Sequence, residues 1–169
     1  MNDPAAALES WVRRFIVGLD LCPFAAAPLS AGRVRFCTAD CTDADDVIAA
    51  CATELARLIE TPAESLSTTL IALPGWDDFD EFLEVIGGLE AFLEVAGVEE
   101  LIQVVAFHPH WVAQDEAPDD PASATNRSPV PAVHLLRQEE VARVTRGHPD
   151  PEGIPRRNAT LLRARAQKK

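Results

Sequence analysis

Two histidines, His108 and His110, stand directly after the apolar run Leu101-Ile-Gln-Val-Val-Ala-Phe107. Histidine is the side chain that takes up or releases a proton near neutral pH. His108 therefore reads as a general base, as a metal ligand, or as a strand-end residue bonded to a backbone carbonyl. Asp119-Asp120 follows in the same segment. A carboxylate there could orient an imidazole, take a proton or hold a cation, although Asp beside Pro121 is also ordinary turn chemistry. Asn126-Arg127-Ser128 offers a planar guanidinium fork that fits a carboxylate or phosphate, with a neutral hydrogen-bonding group on each side. Arg127 could equally be the ion-pair partner of Asp119 or Asp120. His134 and Arg137 lie three residues apart, so on a helix running from His134 to Val144 they would share one face.

Cys22 completes the candidates. Cys22-Pro23-Phe24 follows a helical stripe rather than a strand, and Pro28 closes the segment, so a thioredoxin-like redox turn is rejected. Cys22 is then an inert thiol, a nucleophile or a ligand. Cys37, Cys41 and Cys51 lack Cys-x-x-Cys spacing, which argues against a zinc site. The chain carries no glycine-rich phosphate loop, no Gly-x-Ser-x-Gly, no His-Glu-x-x-His and no nucleotide fingerprint. The common cofactor-binding folds are disfavoured for that reason, and the sequence leaves the cofactor unknown.

The elements that must position these groups follow from periodicity. Leu8, Trp11, Val12, Phe15, Ile16 and Leu19 recur at helical spacing. Arg33-Val-Arg-Phe-Cys37 alternates as a half-buried edge strand does. Thr42, with Asp45, predicts a helix start, and Val47, Ile48, Cys51, Leu55 and Leu58 form its stripe. Thr69-Leu-Ile-Ala-Leu73 predicts a fully buried strand. Asp78 and Glu81 mark a third helix that ends at Gly97, with Gly87-Gly88 inside it as a tight crossing or a kink. Leu101–Phe107 predicts a central strand. The expected fold class is α/β: an N-terminal helix, then a β-α-β-α-β layered sandwich, ferredoxin-like or a small parallel sheet, then a long polar loop and C-terminal helices. One domain spans 1–169, with 108–131 as the functional loop and 156–169 as a basic terminal helix. In open α/β sheets ligands bind outside the carboxyl ends of the strands, which places the site in that loop.

Charge narrows the partners. The net charge is −12, yet residues 156–169 carry six basic residues and no acid, leaving −18 for the rest. A body this acidic repels nucleic acid and anionic lipid at long range. No apolar run is long enough to span a membrane, and MNDPAAALES has no signal-peptide pattern. The expected location is the cytoplasm, with the four cysteines reduced.

Seven local strings resemble one family. They are Leu19-Asp-Leu-Cys-Pro-Phe24, Phe107-His-Pro109, Ala117-Pro-Asp-Asp120, Asn126-Arg-Ser-Pro129, His134-Leu-Leu-Arg137, His148-Pro-Asp-Pro-Glu-Gly-Ile-Pro155 and Arg157-Asn158. Together they resemble the domain of unknown function 1415 family, mostly bacterial proteins of about this length. The resemblance implies no reaction. It does imply tyrosines where this chain has Val130 and His148, and the chain has no tyrosine.

Three functions stay open. The first is a small enzyme on an anionic metabolite, with His108, His134, Asp120 and Cys22 at the chemistry and Asn126, Arg127, Ser128 and Arg137 on the ligand. The second is a metal-binding protein using His108, His110, Asp119, Asp120 and Cys22. The third is a non-catalytic binding or assembly protein. Oligomeric state is not set by the sequence.

Overall fold

The fold is taken from a computed structural model, which describes residues 3–114 and 116–168. Of the residues invoked above, Asp115 in the loop and Lys169 in the basic tail lie outside the description, as do Met1 and Asn2.

Helix α1 spans Pro4–Trp11, capped by Asp3 and carrying Pro4 in its first turn, where a missing N–H costs nothing. It runs on into a wider π-helical turn, Val12–Val17. The short helix α2 is Ala26–Ser30, and strand β1 is Val34–Thr38. Helix α3, Ala44–Glu60, starts one residue later than Thr42 suggested: the Asp43 carboxylate accepts from the Asp46 amide at 2.9 Å. Strand β2, Thr68–Ala72, is buried along its whole length. Helix α4, Phe79–Ala96, is capped by Asp78 and ends at Gly97 with φ 67°, a conformation glycine adopts without strain. A Cβ at Gly88 would sit 3.4 Å from Ile48 Cδ1, so this glycine marks the close α3–α4 crossing, and α4 runs on through it.

Strand β3 is Ile102–Phe107. Then comes the first departure from the sequence reading. Ala132–Arg137 is a fourth strand, β4, and the helix α5 begins only at Gln138 and ends at Gly147. His134 and Arg137 therefore project to opposite sides of a strand instead of sharing a helix face. Helix α6, Ile154–Ala166, closes the chain.

The sheet order is β1-β2-β4-β3. β1 is parallel to β2, and β4 is antiparallel to both β2 and β3. The sheet is mixed, neither fully parallel nor ferredoxin-like. β3 is an edge, not the central strand expected of so apolar a run. β1, β2 and β3 still point the same way, so their carboxyl ends share one rim. One face packs on α3 and α4 through Cys51, Leu55, Ile71, Phe82, Leu89 and Leu135. The other face carries Leu8, Val12, Leu29, Leu70 and Ala132, with Trp11 edge-on to Phe107 at 5.2 Å. No helix among the described residues is long and apolar enough to cross a membrane.

One core position is unfavourable. Thr69 is fully buried beside Leu135, and its hydroxyl has no hydrogen-bond partner. Thr69→Val keeps the shape and removes the unsatisfied group, so it should add about 1 kcal/mol of stability. Calorimetry should then record Tm about 2–4 °C higher than wild type.

Candidate functional site

The predicted site residues separate into two ends of the sheet. At the carboxyl rim, β2 leads into Pro74-Gly75-Trp76 and β3 into His108. The two meet: His108 Nε2 lies 3.0 Å from the Trp76 carbonyl. A carbonyl only accepts, so Nε2 carries the proton. Nδ1 in turn accepts from the His110 amide at 3.0 Å. Both nitrogens of this fully buried ring are used by the backbone, and the Phe79 and Phe82 rings stand 5.0 Å away. Burial holds the His108 pKa below its ordinary value, so the ring is neutral at pH 7. Beside it opens a shallow cleft of about 540 Å³, lined by Asp40, Cys41, Thr42, Gly75, Trp76 and Glu81. The sequence reading did not place Asp40, Cys41 or Glu81 in the site: it weighed Cys41 only as a zinc ligand and Glu81 only as a helix-start residue, and the ends of β1 and α4 meet at this rim only through the fold.

The loop after His108 is tied down by its own residues. Arg127 Nε donates to the Trp111 carbonyl at 2.8 Å, and Nη2 donates to that of Pro118 at 2.7 Å. Asn126 Nδ2 donates to the Ala106 carbonyl at 3.3 Å, while its own carbonyl accepts from the His108 amide. Ser128 Oγ donates to the Val130 carbonyl at 2.5 Å. Asp120 caps the 3-10 turn Pro121–Thr125 through the Ala122 amide. Its partner is not Arg127 but Arg163 of α6, which also reaches Glu116 at 2.7 Å. The Arg163 hydrogen bonds hold the Asp120 carboxyl down at about 2. Among the described residues no three His, Cys, Asp or Glu side chains are grouped to hold a metal ion. His108, His110, Asp119, Asp120 and Cys22 are thus not brought together. Cys22 packs beside Leu21 and Leu162 under α6, and burial raises its thiol pKa.

The opposite end receives β4. Thr68 Oγ1 lies 2.7 Å from His134 Nε2 and 2.6 Å from the Leu135 carbonyl. The hydroxyl has one proton and gives it to the carbonyl, so His134 Nε2–H is the donor to Thr68. Burial pushes the His134 pKa down to about 3. Arg137 reaches back to the end of α3. Its guanidinium donates to the carbonyls of Leu58, Thr61 and Leu66, the first two being acceptors that a helix terminus leaves open. The negative end of the α3 dipole favours a cation there.

Arg137 and Thr68 line a cavity of about 70 Å³ with Phe24, Arg33, Glu140 and Arg143. Glu140 is 3.5 Å from Arg33 and 3.1 Å from Arg143. Of the residues expected to act together, Arg137 lines this cavity, His134 stands behind Thr68, and Cys22 precedes the lining residue Pro23. The sequence reading missed Arg33, Thr68, Glu140 and Arg143, which come from three places far apart in sequence: the turn before β1, the start of β2, and α5, where Glu140 and Arg143 are three residues apart.

A family model described as protein of unknown function (DUF1415) matches residues 3–169. The chain belongs to the DUF1415 family. No curated protein and no solved structure matches it. In this DUF1415 chain several of the seven strings are bonded to one another: the first to the seventh, and the fourth to the second and the third. Arg157 donates to the carboxylate and the carbonyl of Asp20, and Asn158 Nδ2 to the Leu21 carbonyl at 2.6 Å. Asn126 is joined to His108. Asp150 of the His148–Pro155 string accepts from the Gly153 amide just before α6.

Two outcomes are expected. An unfolded His134 returns to its ordinary pKa of 6.5. Between that value and about 3 the unfolded chain binds a proton that the folded chain does not, so stability falls as pH falls through this window. His108 adds to the same trend. His134→Gln keeps a donor for Thr68 and should reduce the slope of unfolding free energy against pH by about one proton per chain. Urea titrations at pH 7, 6 and 5 measure it. Separately, Arg163→Met should release the 116–125 segment. Limited proteolysis should then cut there several-fold faster, with little change in overall secondary structure by circular dichroism.

Proposed function

We propose that the DUF1415 chain binds a small anion, a carboxylate- or phosphate-bearing metabolite, in the cavity between the Pro23–Pro28 segment and α5. The observation that carries this reading is the charge of the lining. Arg33, Arg137 and Arg143 face the cavity with one carboxylate, Glu140, in a chain whose net charge is −12. Guanidinium groups suit planar, bidentate recognition of carboxylate and phosphate. Arg137 is already fixed by carbonyls at the end of α3 and in the loop that leads to β2, so it loses little freedom when a ligand arrives. Ser67 and Thr68 add hydroxyls, and Phe24, Leu136 and Val141 give apolar walls that strengthen each charged contact by excluding water. The volume holds a group of several heavy atoms, since a water needs only about 10–15 Å³ on this measure.

Binding is favoured over acid–base catalysis by the polarity of the His134–Thr68 pair. The imidazole donates to the hydroxyl, the reverse of a base activating a nucleophile. Its low pKa suits a fixed neutral donor.

The test is a thermal-shift and calorimetric titration with inorganic phosphate and with citrate, at matched ionic strength. Both probes should raise Tm of the wild-type protein by mass action. Arg33→Ala with Arg143→Ala should weaken Kd at least about tenfold, the loss of one charge-assisted contact. Equal Tm shifts in wild type and the double variant, or none in either, would overturn the reading.

A further inference from the structure

The cationic cavity already holds a carboxylate of its own chain. Glu140 Oε1 lies 3.1 Å from Arg143 Nη2, 3.3 Å from Ser67 Oγ and 3.5 Å from Arg33 Nη1. What these three groups accept is therefore on view: a carboxylate carried on a short apolar stem. Much of the seat is fixed without Glu140. Arg33 Nη1 donates to the Ala63 carbonyl at 3.0 Å, Arg137 is held by carbonyls at the end of α3, and Ser67 is almost fully buried just before β2.

Glu140 fills that seat poorly. All three contacts use the same oxygen, and Oε2 accepts no hydrogen bond among the described residues. Charge-assisted bonds from nitrogen to a carboxylate run at about 2.7–2.9 Å, and both arginine contacts here are longer. The Ser67 hydroxyl has a single proton, and its nearest acceptors are Glu140 at 3.3 Å and the Ala63 carbonyl at 3.4 Å. Arg33 Nε and Nη2 donate to nothing among the described residues. A carboxylate free of the backbone can turn both oxygens to such a fork, whereas Glu140 is tethered to α5.

Little else holds that side chain in place. No residue of α5 is fully buried, and the helix starts from Arg137, whose guanidinium stays anchored to α3. Glu140 can therefore turn outward with the α5 backbone unmoved. The rest of the lining selects the ligand. Phe24, Leu136 and Val141 suit an apolar stem and offer no donor to the further oxygens of a phosphate. Thr68 offers none either, since its proton goes to the Leu135 carbonyl. A site occupied by its own side chain binds with an apparent affinity reduced by the fraction of time it stands vacant.

We infer, resting on the anion-binding reading above, that Glu140 is an internal ligand of this cavity and that the site's own ligand is a small monocarboxylate on an apolar stem, which takes the seat of Glu140 and turns that side chain out to solvent. Propionate is the glutamate side chain freed from the backbone, so it is the probe, with inorganic phosphate beside it. Calorimetric titrations at matched ionic strength compare wild type, Glu140→Ala and Glu139→Ala. Glu139 is exposed in the same helical turn, so its variant removes the same charge and leaves the seat filled. Glu140→Ala should bind propionate at least about tenfold more tightly than wild type does, and more tightly than it binds phosphate. Glu139→Ala should stay within about twofold of wild type. No gain in Glu140→Ala overturns the inference, and so does an equal gain in both variants, which would be a general charge effect. A Glu140→Ala protein that prefers phosphate overturns the ligand class. The anion reading is decided apart from this, by wild type with phosphate and citrate. If wild type responds to those and Glu140→Ala gains nothing for propionate, the anion reading stands and the internal ligand falls. If no protein responds to any probe, both fall.

Discussion

Strand β4 is hydrogen-bonded along both sides, and the rest of the molecule is arranged around that constraint. A buried strand must pair every amide and carbonyl. β4 does so only by running antiparallel between β2 and β3. Its polarity then divides the chemistry. β1, β2 and β3 deliver their exits to one rim, where His108 is braced on Trp76 beside Asp40, Cys41 and Glu81. β4 delivers Arg137 and α5 to the other end, where the cationic cavity lies. The long segment between His108 and Pro131 joins β3 to its antiparallel neighbour β4, a connection that a two-residue turn can make, so strand pairing alone does not call for its length.

That segment is held from outside by α6. The basic tail in an acidic chain invites a reading as an interaction arm, yet Arg157, Asn158 and Arg163 turn back onto the molecule. A single exposed ion pair contributes little. Arg163 engages two carboxylates at once, one of which also caps a turn, and Leu162 is buried against Ile16 and Leu21. Packing sets the helix in place, and the charged contacts then choose which loop residues it touches. The same helix thereby orders two family strings that lie about a hundred residues apart in sequence.

Much of this was legible in the chain. The helical stripes, the buried run Thr69–Leu73 and the caps Asp78 and Gly97 each rest on local chemistry; the caps fell where their residues indicated, and the strand one residue earlier, at Thr68–Ala72. β4 was not legible as a strand. Val133-His-Leu-Leu-Arg137 is too short for its period to separate helix from strand. No glycine or proline divides it from Gln138-Glu-Glu, which begins a true helix, so the two read as one element. The apolar character of Leu101–Phe107 suggested a strand with two neighbours, and it has one. The candidate residues fared according to range. Arg127, Asn126 and His108 do converge, through backbone partners that no spacing announces. Arg33, Thr68 and Arg143 reach one cavity only through strand order, which a single sequence does not encode locally.

His108, fully buried, and His134, half-buried in β4, share a physical logic. Each is held neutral by burial, and each has its tautomer set by an acceptor that cannot donate or has already donated. A neutral imidazole with fixed donors costs far less to bury than a charged one. It can therefore brace a strand end at positions where an ionised side chain would not be tolerated. The charge that a ligand would need is supplied instead by arginines at the margin of the fold, which keep their protons at any physiological pH. This matters because the chain as a whole repels anions. Screening at physiological ionic strength limits that repulsion to about 8 Å. Inside the cavity three guanidinium groups stand against the one carboxylate of Glu140, so the proposed recognition would rest on short-range geometry, with the long-range field acting mainly against approach.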